Sequence, residues 1–372
     1  MAYQKGMVTS AELDRVITEG NLQILILLGM RSNGKSYAAK ELTVKKAYED
    51  KQQFIYLRRY KEDVADYLTE AYFADLDISG ITKGKYSSVT VYRKAIYLSN
   101  IDEEGKVNRG VKIGDVRSLS EGTRYKSGAY PNTKYIVFEE FVTDGLYLSN
   151  EVEKLDQFIS TVLRQNNGCV ILIGNTISRI CPYFREYELV GIPKQAKGTV
   201  DIYNKVVHDE VNGDYQTNVG VYLTGTIEGA SKMFFRKNAA MINKGEWTTH
   251  DHPHRKLCDA EVVYRLVYIH DNNQFICELL SNYDNPLGMM WYIYPKTKAI
   301  KTGTRIVSRD NNDMDLAADV LWTPDFKTAV TPQEQQAFKL LLDGYCCFSD
   351  NLTGTEFIQC LKQDGIAIRG KS

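Results

Sequence analysis

Four apolar runs punctuate the first half of the chain: LQILILLG (22–29), the centre of QQFIYLRRY (52–60), KYIVFEEF (134–141) and GCVILIGNT (168–176). Runs of this length without polar alternation predict strands buried on both faces, as in a parallel sheet. Between them, apolar residues recur at helical spacing. They predict helices over 11–20, opened by Ser10, and over GKSYAAKELTVKKAYED, KEDVADYLTEAYFADL and EVEKLDQFISTVLRQ. Strands alternating with helices point to an α/β fold, a parallel sheet with helices on both faces. Residues 78–132 break the rhythm. SSVTVYRKAIYLSN and KVNRGVKIGDV read as short β elements with turns, an insert between core strands. From about residue 200 the text becomes β-rich and then closes on two helical stretches, TPQEQQAFKLLLDGY and TGTEFIQCLKQ. This predicts a first domain over 1–205, a linker region over 206–235 and a smaller α+β domain over 236–372.

The turn after the first apolar run carries chemistry. Gly29-Met30-Arg31-Ser32-Asn33-Gly34-Lys35-Ser36 fits G-x-x-x-x-G-K-[ST], a P-loop, between a buried strand and a helix. Glycines let such a loop wrap close to phosphate, and its backbone N–H groups and the helix N-terminus face the anion. Gly29, Arg31, Ser32, Asn33, Gly34, Lys35 and Ser36 are therefore the candidate ATP-binding residues, with Lys35 on the β- and γ-phosphates and Ser36 on Mg²⁺. YIVFEE has the form of a Walker B strand, apolar residues followed by two acids. Glu139 stands where an Asp usually organises Mg²⁺. Glu140 stands where a glutamate polarises the attacking water, a hydrolysis signature that nucleotide kinases lack because they must exclude water. The pattern is that of the additional-strand, catalytic-glutamate class of P-loop NTPases. No N-K-x-D base-reading motif is visible, which argues against a GTPase.

Two further positions have double readings. Asn175, followed by Thr176, ends the fourth strand, either as a γ-phosphate sensor or as a polar loop. Arg164 closes a helix, either complementing its dipole or reaching a neighbouring subunit's nucleotide as a trans finger.

Composition adds bounds. With 372 residues, 43% of them hydrophobic and 25% charged, the chain has the makeup of a globular protein with room for two cores. The net charge of −1 gives no global nucleic-acid signature. Its distribution is uneven, because Lys83–Lys134 holds 11 basic and 5 acidic residues. Any polyanion contact is expected there: Arg124 and Lys126 in GTRYKSGAYPNTK, with Arg58 and Arg59 as alternatives. Seven cysteines without a C-x-x-C pair suggest reduced thiols and a cytoplasmic protein. No apolar run is long enough to span a bilayer. His250, His252, His254 and Cys258 suggest zinc, but Pro253 interrupts them and no partner pair follows, so a polar loop is the expected reading.

The P-loop strand, FIYLRRY, the acidic Walker B strand and ILIGNT fall in an order and spacing that resembles viral DNA-packaging ATPases, most of all the small packaging motors of phi-29-like podoviruses. The stretch FICELLSNYDNPLGMMWYIYPKTKAI resembles the degenerate RNase H-like domain of those motors. The resemblance implies an ATP-driven translocase of double-stranded DNA that fills a procapsid through the portal. It implies a homo-oligomeric ring, pentameric in that family, in the host cytoplasm and transiently on the procapsid, with a packaging RNA as a further partner. Carried over by position, Lys35 and Ser36 bind phosphate and Mg²⁺, Glu139 and Glu140 are the Walker B and catalytic acids, and Arg164 is the trans finger. Large terminases bind two metals through a nuclease carboxylate cluster. The acids Asp271, Asp284, Asp310, Asp313 and Asp315 keep that chemistry open, whereas the resemblance implies a vestigial, inactive nuclease. The rival readings are a nucleotide or small-molecule kinase, a non-hydrolysing nucleotide-dependent clamp, and a helicase-like ATPase.

Overall fold

The structure, a computed structural model, describes residues 7–125, 128–164, 167–207, 215–225, 247–255, 259–283, 287–299, 304–308, 320–321 and 331–369. The chain divides into two compact units, one of residues 1–143, 148–177 and 181–247, the other of 144–147, 178–180 and 248–372.

The first unit is a mixed α/β fold around a large, mostly parallel sheet. Helix α1 (Ser10–Glu19) opens on Thr9, whose hydroxyl accepts from the Glu12 N–H at 3.2 Å. Strand β1 (Ile24–Leu28) is buried at every position and leads through the P-loop into α2 (Lys35–Glu49). Strand β2 (Gln53–Arg58), helices α3 (Asp66–Phe73) and α4 (Ile78–Ile81), and strands β3 (Ser88–Tyr92), β4 (Ala95–Ile101) and β5 (Val107–Ser118) follow. Strand β6 (Thr133–Glu139), helix α5 (Glu151–Leu163), strand β7 (Cys169–Ile173), helix α6 (Pro182–Glu186) and strands β8 (Thr199–Val207) and β9 (Tyr215–Leu223) complete the unit. The sheet order is β3-β4-β5-β2-β6-β7-β1-β9-β8. Neighbours from β5 to β9 are parallel, and the two edges are antiparallel hairpins. Leu25, Leu27, Val137 and Ile171 pack with Leu13, Ala38 and Leu42 of α1 and α2. The alternate residues Ile26, Ile136, Phe138 and Leu172 are equally buried. Phe138 meets Tyr183 of α6 edge-on at 6.3 Å.

The insert expected over 78–132 joins the core sheet, because the end of β5 pairs with β2 from Phe54↔Gly114 to Arg58↔Ser118. One sequence expectation changes in the folded chain. The linker expected over 206–235 contains β9, which lies beside β1 in register Ile24↔Val219 to Leu28↔Leu223, with Val219 and Val221 buried. β8 and β9 alternate apolar and polar residues, as an edge hairpin does, and that text does not reveal which sheet they join.

In the second unit, β10 (Glu261–His270), β11 (Asn273–Ser281) and β12 (Met289–Pro295) form an antiparallel meander. Strand β13 (Arg305–Ser308) runs parallel to β10, β14 (Val320–Leu321) parallel to β13, and β15 (Cys346–Phe348) parallel to β12. Helix α7 (Pro332–Leu342) starts with a capping box of Thr331 and Glu334, and α8 (Asn351–Gln363) is capped by Asp350. Their apolar residues Phe338, Leu341 and Phe357 close over Trp291 and Phe348, and the Trp291 Nε1–H donates to the Ala337 carbonyl at 2.8 Å.

One buried ion pair ties the first unit's strand ends to α5. Arg59 follows β2 and donates from Nε to Glu151 Oε2 at 2.8 Å and from Nη2 to Glu151 Oε1 at 3.0 Å. Its Nη2 also reaches the Phe141 carbonyl at 2.6 Å, and Glu151 accepts from Tyr183 and the Leu148 N–H, each at 2.8 Å. Glu151 has no exposed side-chain surface. Removing one partner strands the other charge in the interior, at a cost of about 3–5 kcal/mol. Urea denaturation of Glu151→Ala is expected to show that loss, whereas Arg59→Met/Glu151→Leu together are expected to lose less than either single change.

Candidate nucleotide site

The P-loop sits where β1 leaves the sheet, flanked by the ends of β6, β7 and β9. Gly29 has φ +150°, and a Cβ there would fall on the Thr224 hydroxyl. Gly34 has φ +86° and caps α2 in a left-handed conformation, with the Val8 carbonyl 3.0 Å from where a Cβ would stand. Both positions require glycine. The first turn of α2 holds no acidic residue and no side-chain cap, so its N–H groups are left to an anion. Asn33 is buried, its side-chain amide donating to the Thr224 hydroxyl, which itself donates to the Leu28 carbonyl at 2.9 Å. Arg31 is exposed, and Ser32 takes a left-handed turn at φ 63°.

Lys35 is 4% exposed. Its ammonium donates to the carbonyls of Gly29 at 3.2 Å and Met30 at 2.6 Å, to Asn33 Oδ1 at 3.1 Å and to Asn175 Oδ1 at 3.3 Å. Burial pulls its pKa down from 10.5 to about 7, with Glu139 opposing the fall and Arg31 adding to it. Asn175 thus reaches the P-loop from the end of β7, and the adjacent Thr176 N–H donates to the Gly29 carbonyl at 3.3 Å.

The two acids after β6 are separated by the backbone. Glu139 is buried, accepting from the Tyr72 hydroxyl at 2.9 Å. Burial raises its pKa, while hydrogen bonds from Ser36 and Tyr72 and the charge of Arg58 hold the rise back. Glu140 has φ 58°, a left-handed turn that swings it out of the strand's alternation. Its side chain is 63% exposed and meets Arg58 Nη2 at 2.6 Å. Arg58 also lies 3.8 Å from Asp63.

Of the sequence candidates, Gly29, Asn33, Gly34, Lys35, Ser36, Glu139 and Asn175 come together, with Glu140 beside them. Arg59 does not fit its expected role as a DNA contact, because its guanidinium is buried and spent on Glu151 and two backbone carbonyls. Arg58 is engaged by Glu140. Arg164 caps the C-terminal end of α5, is exposed, and donates to the Thr161 carbonyl at 3.1 Å; among the described residues no hydrogen bond or ion pair joins it to this site. Arg124 falls in the 3₁₀ turn Leu119–Tyr125, and Lys126 lies outside the described residues. His252 and His254 bond Thr355 and Asn351 on α8 at 3.1 and 3.0 Å, and no described group of three His, Cys, Asp or Glu residues is arranged to hold a metal. Cys258, Asp284, Asp310, Asp313 and Asp315 lie outside the described residues. Two site residues escaped the sequence reading. Thr224 fell in the expected linker, and Tyr72 stood in a helix whose aromatic positions gave no chemical signal.

Comparison with known proteins identifies the family and the fold. The family model for the podovirus DNA encapsidation protein (Gp16) matches residues 14–226, more than half of the chain. The DNA packaging protein of Bacillus phage phi29 is 32% identical over 173 residues, which cover 44% of this chain and 46% of the relative. That of Bacillus phage B103 is 31% identical over 171 residues, covering 44% and 47%. The match thus spans about half the length of these relatives. A chain of the bacteriophage Phi-29 viral genome packaging motor assembly shares the fold, with a TM-score of 0.54 and 18% identity over 94% of this chain and 98% of that one. A P-loop, paired acids after β6 and a sheet of this order, in a chain matched from residue 14 to 226, place it in the podovirus DNA encapsidation protein (Gp16) family.

Proposed function

We propose that this chain is an ATP-driven double-stranded DNA translocase that packages a phage genome into a procapsid through the portal. The observation that carries the reading is the convergence of Lys35, Ser36, Glu139 and Asn175 at the carboxyl ends of adjacent parallel strands, with Glu140 one residue outside. That is where open α/β sheets bind ligands.

The residues fit ATP and Mg²⁺. The glycine cradle and the uncapped start of α2 suit phosphate. Ser36 and Glu139 are hard oxygen donors side by side, suited to Mg²⁺. Bound Mg²⁺ would neutralise charge on the β- and γ-phosphates. Lys35 would exchange its carbonyl partners for phosphate oxygens and hold them. Glu140 would accept a proton from the attacking water once free of Arg58. Asn175, already on Lys35, would sense the γ-phosphate. Arg164, exposed at the far end of α5, is free to act in trans, which requires a homo-oligomeric ring, pentameric on the family resemblance. In this reading double-stranded DNA, the portal and a packaging RNA are partners, and the chain works in the host cytoplasm on the procapsid.

The second unit reads as an RNase H-like domain. An antiparallel meander with two parallel strands added beside its first strand supports that topology. Its engaged acids support an inactive nuclease. Glu278 is held by Arg265 at 2.5 Å and by Tyr294 at 3.1 Å. Asp364 is held by Tyr268 at 2.5 Å and His270 at 2.8 Å, and Glu334 by Arg305 at 3.0 Å and Tyr264 at 2.8 Å. Carboxylates spent on cations and phenols are poor metal ligands.

Two measurements test the ATPase reading. Glu140→Gln is expected to lower ATP turnover by about 10²–10⁴-fold while nucleotide still binds. Arg58→Ala is expected to raise turnover without DNA by about two- to fivefold, the worth of an exposed ion pair; unchanged turnover in both variants overturns the roles of Glu140 as base and Arg58 as its restraint. The lowered Lys35 pKa sets a proton linkage. Phosphate raises that pKa, so ATP binding at pH 8 takes up close to one proton, and affinity falls as pH rises through and above about 7. Calorimetry in buffers of different ionisation enthalpy reads the uptake, which is expected to vanish in Lys35→Met.

A further inference from the structure

The β3–β4 turn is built from cations in an unfavourable backbone. Tyr92 pairs with Ala95, so Arg93 and Lys94 alone make the hairpin turn, both left-handed at φ 49° and 64°. Such turns favour Asn-Gly, because other residues meet their own Cβ there. Lys94 holds the turn in place. Its ammonium bonds the Val64 carbonyl and lies 3.5 Å from Asp66, and its carbonyl accepts from the Val116 N–H at 2.8 Å. The turn is therefore clamped, and Arg93 is held out from it.

Arg93 is not alone. Its guanidinium carbon lies 5.1 Å from the centre of the Tyr92 ring, and that of Arg109, on β5, lies 4.3 Å from the same ring. Tyr92 is 43% exposed, and both arginines are exposed. Three nearby cations are spent on acids, Lys94 on Asp66 and both Lys112 and Arg117 on Asp115. Among the described residues, Arg93 and Arg109 join no ion pair. A guanidinium stacked on an aromatic face keeps its N–H edge free and its orientation fixed, which suits bidentate contact with phosphate. The other end of the β4–β5 hairpin is acidic, with exposed Asp102, Glu103 and Glu104, and repels a polyanion.

We infer that Arg93 and Arg109, stacked on Tyr92, form a grip for the phosphodiester backbone of a nucleic-acid double helix. The inference deepens the translocase reading and rests on it for the presence of such a ligand. A DNA duplex and a base-paired RNA share the chemistry, and the test separates them. Neither arginine touches the nucleotide site, so ATP turnover without nucleic acid is expected to stay at the wild-type level in the variants below.

Fluorescence anisotropy of the full chain, with labelled duplex DNA and separately a labelled RNA hairpin, is measured from about 50 to 200 mM salt. Arg93→Gln/Arg109→Gln is expected to weaken binding of one or both ligands about tenfold and to flatten the slope of log K against log salt by about two for DNA. The affected ligand identifies the source of the phosphates. Tyr92→Leu is expected to lose about two- to fivefold and Tyr92→Phe to lose nothing, since the ring and not the hydroxyl does the stacking. Unchanged slopes for both ligands overturn the inference, as does equal loss in Tyr92→Phe and Tyr92→Leu. A chain that hydrolyses ATP but ignores these changes leaves the ATPase reading intact. A chain with the arginine-dependent slope and no ATP turnover does the reverse.

Discussion

A buried ammonium with only neutral oxygens against it is the constraint around which the first unit is organised. Lys35 is enclosed by two P-loop carbonyls and the side-chain carbonyls of Asn33 and Asn175, and no described carboxylate stands within ion-pair distance. Dipoles offset part of the desolvation of a charge and leave the rest. The site therefore favours any ligand that brings negative charge. The same demand fixes the surroundings. Asn33 is oriented by Thr224, Thr224 is delivered by β9, and Asn175 by β7, so β1 must lie between those two strands. Gly29 is glycine because Thr224 occupies the space of its side chain.

Adjacent residues at the strand ends have opposite fates, and the reason is geometric. Arg58 ends β2 and turns to Glu140, while Arg59 turns inward to Glu151. Glu139 still belongs to β6 and points into the interior, whereas Glu140 is released by a left-handed residue. The two pairs differ in energetic role. The Arg59–Glu151 pair is fully enclosed and holds the fold together, so neither member is free for a ligand. The Arg58–Glu140 pair is open to water, worth little, and easily exchanged. In the proposed reading, such a replaceable bond suits an acid that must change partners during a cycle.

Much of this was legible in the sequence. Continuous apolar runs gave β1, β2, β6 and β7, and the P-loop and the two acids stood at their ends. What failed was non-local. The text of β8 and β9 reads like the β-rich second unit, and nothing in it says that Val219 to Leu223 pair with Ile24 to Leu28. Thr224 was lost with it. Arg58 and Arg59 look alike as letters, and only the position of Glu151, almost a hundred residues away, separates a structural arginine from one on the site. The basic excess between Lys83 and Lys134 was visible, but Lys94, Lys112 and Arg117 are paired with acids, and what sets Arg93 and Arg109 apart is the Tyr92 ring they share, a contact the text does not announce.

The glutamate at position 139, where a shorter aspartate is usual, also has a local physical account. The carboxylate must reach Ser36 from a strand end and at the same time satisfy the Tyr72 hydroxyl at 2.9 Å. Tyr72 cannot move towards it. Its ring is stacked on Tyr56 at 4.5 Å, and its backbone carbonyl accepts from Lys40 at 2.5 Å. With the phenol fixed by β2 and α2, the acid supplies the length. An aspartate would draw back by one methylene and leave a buried hydroxyl unpaired, at about 1–3 kcal/mol. The longer side chain and the tyrosine are therefore one device, in which α3 helps to hold the acid that β6 presents.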